Sequence, residues 1–92
     1  MPKKGIDSES RKLFENTLGK LKGAKLLDLL KSLLSSAEMK DISRRIMAAK
    51  LLKEKVTYIE ITQMMGMSAS TVNKIYFKTK GSPIINELFK KD

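Results

Sequence analysis

From Leu13 to Leu52 apolar residues recur at steps of three and four, the spacing of one helix face, while strand-like alternation is missing. The only prolines, Pro2 and Pro83, stand near the two ends, so none interrupts the helical pattern between them. The first stripe is Leu13, Phe14, Leu18 and Leu21. It predicts a helix that opens near Asp7 or Ser8, since either can accept an N-cap hydrogen bond. Gly19 and Gly23 flank a bend into "AKLLDLLKSLL", a second helix apolar at Leu26, Leu27, Leu29, Leu30, Leu33 and Leu34. That face is too wide for a helix packing on one neighbour, and it predicts contact on two sides, with a partner subunit as one candidate.

In "SSAEMKDISRRIMAAKLLKEK" Ser35 and Glu38 have capping-box spacing, in which each side chain satisfies an orphan N–H. Met39, Ile42, Ile46, Ala49 and then Leu52 or Lys53 follow one face of a long helix. Lys50, Lys53 and Lys55 crowd its last turns, where cations complement the helix dipole. Thr57 and Glu60 repeat the capping box before a short helix that ends at Gly66. Ser68 caps "SASTVNKIYFKTK", Gly81 stops it, and Ser82 with Pro83 opens a last short helix. The chain is therefore expected to be all-α, with about six helices.

Charge narrows the choice of partner. The 92 residues carry 19 Lys and Arg against 10 Asp and Glu, a net charge of +9. That favours a polyanion: nucleic acid first, an anionic membrane surface second. With no Cys and no His, a thiolate or imidazole metal site and His-based catalysis are excluded. No cofactor is expected. The N-terminus "MPKKGIDSES" lacks the apolar stretch of a secretory signal. No apolar run approaches the roughly 18 residues of a spanning helix, so a soluble chain is expected.

The distribution of the ten carboxylates is more telling than their number. None falls between Glu60 and Glu87, although Lys74, Lys78 and Lys80 do. The same stretch fits the spacing of a helix-turn-helix counted from Tyr58. Ile61 is the apolar fourth position, Thr62 the small fifth and Gly66 the ninth; Met65, Met67, Val72 and Ile75 are the remaining apolar positions. Gly66 can take the positive φ of a tight interhelical turn, and the apolar set locks the crossing angle by burial. The usual alanine at the fifth position is replaced by Thr62, a mild departure.

In that reading the second helix enters the major groove of duplex DNA. Val72, Ile75 and Tyr76 face inward, leaving Ala69, Ser70, Asn73, Lys74 and Phe77 outward. Ala69 suits a thymine methyl, Asn73 a bidentate pair to adenine, and Ser70 a base or a phosphate. Phe77 is read as core or dimer contact. Thr62, Ser68, Lys53, Lys74 and Lys78 are the candidate phosphate contacts. Carboxylates there would repel phosphates, which accounts for the acid-free stretch.

From about Leu34 to Phe89 the chain resembles the Trp repressor superfamily, through "LLSSAEMKDISRRIMAAKLLKEK" and "TYIEITQMMGMSASTVNKI". The resemblance implies an intertwined, all-helical homodimer whose N-terminal helices interlock, and a cytoplasmic transcriptional repressor of bacterial or phage type on a palindromic operator. It implies Ala69, Ser70 and Asn73 as base-facing residues. The division that follows is a flexible basic tail at 1–6, a helical dimerisation region at 7–34, and a long helix, helix-turn-helix and C-terminal helix at 35–92. In the family a tryptophan corepressor's carboxylate is held by two arginines. Arg44, or Arg45 with the register shifted by one, matches the first, and Lys74 stands at the second. Lysine offers a point charge instead of a fork, and Ile75 replaces the glycine that leaves room for an indole. A small-molecule corepressor, if there is one, is thus not expected to be tryptophan.

Three other readings compete. An enzyme without His or Cys would need paired carboxylates such as Glu54 with Glu60 or Glu38 with Asp41, which capping and surface roles explain. A membrane-surface role for the leucine-rich helix is weakened by its sparse lysines, Lys25 and Lys31. The alternative kept is a basic helical RNA-binding or protein-interaction module without sequence-specific DNA binding.

Overall fold

The computed structural model describes Met1 and residues 3–90. Pro2 of the expected tail and positions 91 and 92 of the C-terminal segment lie outside the described residues. Six helices follow one another: α1 Ile6–Lys20, α2 Ala24–Leu33, α3 Ser36–Lys53, α4 Tyr58–Met65, α5 Ala69–Thr79 and α6 Pro83–Leu88. No strand occurs among the described residues.

The chain divides into two compact units, Met1–Ser35 and Ser36–Asp92. In the first, α1 starts before the expected caps. Gly5, at φ 81°, holds the N-cap position without a side chain, and Asp7 and Glu9 fall in the first turn, where the helix dipole favours acids. Lys3, placed by the sequence in a basic tail, has its ammonium 3.1 Å from Glu9. No residue of α1 or α2 is buried. Leu26, Leu29, Leu30 and Leu34 are half-covered, but Leu13 is 69% exposed and Leu33 63%.

The second unit has a closed core. α3, α4 and α5 pack on one another pairwise. Ala48, Ala49 and Leu51 of α3 meet Ile61 of α4 and Val72 and Ile75 of α5. Ile61 and Val72 are wholly buried, each contributing about 1.5–3 kcal/mol. The buried side of α3 differs from the expected stripe. Ile46 is 51% exposed and Ile42 is also exposed, whereas Ala49 of that stripe is buried together with Ala48 and Leu51, which lie off it. The reason is steric: small side chains at Ala48 and Ala49 let two helices approach α3 closely, and larger ones would hold them off.

α3 closes with a motif invisible in the sequence. Val56 N–H reaches the Leu51 carbonyl at 3.1 Å and Lys55 N–H the Leu52 carbonyl at 3.1 Å. Lys55 takes φ 66°. This is a Schellman ending with lysine at the left-handed position that glycine usually fills, and Val56 packs against the core as the motif's apolar contact.

Candidate nucleic-acid interface

The helix-turn-helix is built by short-range capping. Thr57 Oγ1 accepts from the Glu60 amide at 3.2 Å, and the Thr57 amide donates to Glu60 Oε2 at 3.3 Å, a complete capping box for α4. Gly66 ends α4 at φ 64°, ψ 32°, a left-handed conformation that glycine adopts without Cβ strain. Ser68 Oγ then accepts from the Thr71 amide at 3.1 Å and starts α5. Ile61, Val72 and Ile75 are buried between the helices, with Met65 and Met67 packed at the edge. At the fifth position Thr62 is half-buried, and its Oγ1 donates to the Ile59 carbonyl at 2.7 Å. A hydroxyl is thereby satisfied where alanine would need no partner. The Arg44 guanidinium donates to the Met65 carbonyl, tying α3 to the last turn of α4 beside the Gly66 turn.

Outward from this core, α5 exposes Ala69, Ser70, Asn73, Lys74, Phe77 and Lys78. Asn73 is not free: the Tyr58 hydroxyl donates to its Oδ1 at 3.3 Å. Tyr76, expected to face inward, is 38% exposed. Its ring meets Tyr58 edge-on, centroids 6.0 Å apart, and Phe77 at 5.3 Å. The Lys80 ammonium lies 4.6 Å from the Phe77 centroid, a cation–π contact that covers an exposed aromatic. Ser68 Oγ is engaged as the cap and lies 2.9 Å from Thr71 Oγ1. Lys53 is half-buried and donates to the Lys80 carbonyl at 3.4 Å, at the C-terminal end of α5. The structure thus groups Ala69, Ser70, Asn73, Lys74 and Lys78 on one exposed helix, while Lys53 sits at its far end and Thr62 on α4.

Charge on this surface is uncompensated. Glu54 pairs with Lys50 at 3.4 Å and Glu60 is occupied in its capping box. Lys3–Glu9 and Arg11–Glu15 are the other ion pairs among the described residues, and both lie in the first unit. Among the described residues neither Lys74 nor Lys78 has a carboxylate partner.

Beside α5 a cleft of about 490 Å³ opens towards α3. Ile42, Ile46, Ala49, Ile75 and Ile85 line it together with Arg45, Lys74 and Lys78. Arg45 and Lys74 therefore share the cleft, whereas Arg44 is turned to the Met65 carbonyl. Ile75 forms one wall and is 7% exposed.

Against this geometry stands the family comparison: the model for the Trp repressor protein matches residues 9–87. The chain belongs to the Trp repressor protein family. The match reaches well beyond the Leu34–Phe89 segment that carries the resemblance, taking in most of α1 and all of α2. No curated protein and no solved structure is significantly similar to the chain. The Trp repressor family is a regulatory DNA-binding family and not an enzymatic one. No helix among the described residues is long and apolar enough to cross a membrane.

Two contacts at the site escaped sequence reasoning. Tyr58 touches Asn73 across a separation of 15 residues, and Arg44 reaches Met65 across 21. Neither pair has a periodic signature, because each depends on how separate helices cross.

Proposed function

We propose that this member of the Trp repressor family is a homodimeric, sequence-specific regulator of transcription, a repressor, that inserts α5 in the major groove of duplex DNA. The observation that carries this reading is the turn from Thr57 to Thr71, capped at both helices, which displays an acid-free exposed face on α5. Ala69, Ser70 and Asn73 meet base edges, and Lys74 and Lys78 meet phosphate. Lys53, Thr62 and Ser68 join them by sharing hydrogen bonds they already make within the chain.

Dimerisation completes the geometry. The 7–34 region leaves Leu13, Phe14, Leu27 and Leu33 exposed, apolar surface that a second copy would cover. A second copy supplies the cover and sets two copies of α5 about 34–36 Å apart; that separation is general to helix-turn-helix dimers, the Trp repressor being one of the examples from which it is known. Tryptophan is not the effector in this reading: Arg44 is engaged elsewhere, Lys74 offers one point charge, and Ile75 occupies a wall.

Selection of binding sites from a random duplex library tests the proposal, and a palindromic motif is the expected outcome. Equal retention of random duplex and structured RNA, with no motif emerging, would sink it and leave the RNA-binding or protein-interaction alternative. Calorimetry with tryptophan should show no saturable micromolar binding.

A further inference from the structure

We infer that Tyr58, on α4, is a positioning residue for base recognition: its hydroxyl holds the Asn73 side chain in the rotamer that reads one base pair. The inference rests on α5 being the recognition helix and deepens that reading. Tyr58 is fixed by its own surroundings. Its ring packs against the core and lies edge-on to Tyr76 at 6.0 Å. From that anchored ring the hydroxyl donates to Asn73 Oδ1 at 3.3 Å.

An exposed asparagine otherwise rotates freely and presents either end of its amide. Recognition of adenine needs a defined end: Oδ1 must accept from the exocyclic amine while the NH2 donates to N7. Tyr58 occupies one of the two lone pairs on Oδ1 and leaves the other, with both NH2 hydrogens, open to a base. The NH2 donors stay available to a purine acceptor, and because a tyrosine hydroxyl both donates and accepts, the contact fixes the rotamer of Asn73 and not which end of its amide faces α4. At 3.3 Å the bond is long for O–H···O, so its effect lies in orientation more than in strength. Asn73 is thus ordered before DNA arrives, and less rotamer entropy is lost on binding.

The test is site selection and quantitative duplex binding with the wild-type protein, Tyr58→Phe, Asn73→Ala and the double variant. Tyr58→Phe keeps the ring and its packing, so its thermal midpoint and its affinity for non-specific duplex should match the wild type. Discrimination at the base pair that Asn73→Ala relaxes should fall by about twofold to tenfold in Tyr58→Phe. In the Asn73→Ala background, the second substitution should then change nothing.

If Asn73→Ala relaxes the motif and Tyr58→Phe leaves it intact, the positioning role is wrong and the DNA reading stands. Uniform weakening on every duplex by Tyr58→Phe would instead make the hydroxyl a phosphate contact and overturn the inference. A motif unchanged by Asn73→Ala would remove base reading by Asn73 and the role of Tyr58 with it. Absence of any motif from the wild type would remove the functional reading itself.

Discussion

In α3, α4 and α5 the apolar side chains close on one another until Ile61 and Val72 have no surface left, whereas in α1 and α2 not one residue is buried. Supply of hydrophobic residues does not explain the contrast, since the richest leucine run of the chain is in α2. Geometry does. Small residues at Ala48 and Ala49, a capped α4 and a glycine turn let three helices meet within one chain. Along α2 leucines occupy a face too broad for any single neighbour. Helices of 15 and 10 residues are marginal in water by themselves, so α1 and α2 depend on tertiary cover for their stability. One region specifies its own core, and we propose that the other specifies an interface.

The largest effect expected from that contrast is on the core. Ile61→Ala removes a wholly buried side chain from the junction of α3, α4 and α5, and should cost about 2–5 kcal/mol. Chemical denaturation followed by far-UV circular dichroism would measure it. A loss below about 1 kcal/mol would mean that the core is not closed as described.

The second test acts on the other region. Leu27→Asp together with Leu33→Asp introduces charge on exposed positions and leaves every core contact of α3–α5 untouched. Sedimentation should show the proposed dimer falling to monomer, with the helical signal of α1 and α2 largely lost. An unchanged sedimentation coefficient would show that this face does not hold two copies together.

Much of the helical fold was legible in the sequence, and the legible part is local. The caps at Thr57, Ser68 and Ser82 and the turn at Gly66 are set by residues within three or four positions, and all four are present. The start of α1 was misplaced because Gly5 makes an N-cap without any side-chain signal. The buried side of α3 was misread for a different reason. Periodicity marks a stripe through Ile42, Ile46 and Ala49 but says nothing of which neighbours come to cover it; of these three Ala49 alone is buried, and Ala48, off the stripe, joins the core because two helices pack there. At the site, the residues along α5 follow from helix geometry, whereas Tyr58 beside Asn73 and Arg44 on Met65 follow only from the crossing of helices.

A smaller pair of backbone substitutions sharpens the comparison further, since both act on the second unit alone. Gly66 has φ 64°, and an added Cβ there meets nothing within 4 Å, so any penalty is conformational. Gly66→Val forces a β-branched residue into the left-handed region at about 2 kcal/mol. Its thermal midpoint should drop while the oligomeric state at native temperature stays the same. No drop would mean that the turn relaxes to another conformation and that the angle between α4 and α5 is not held by it.

The mirror substitution is Lys55→Gly. Lys55 holds the left-handed position of the α3 Schellman ending at φ 66°, and it carries a strain of about 1–2 kcal/mol that glycine would lose. Glycine also loosens the unfolded chain, which offsets roughly 0.4–1 kcal/mol of that gain. The net expectation is stabilisation of about 0.5–1 kcal/mol, seen as a raised denaturation midpoint with an unchanged slope. Because both hydrogen bonds of the motif are backbone to backbone, they survive the change. The association proposed for α1 and α2 should be indifferent to it, so the dissociation constant of the proposed dimer should stay constant while the melting of the core rises. A destabilised variant would mean that the Lys55 side chain contributes more than its backbone strain costs, and the end of α3 would then be held by a contact other than the Leu51–Val56 closure.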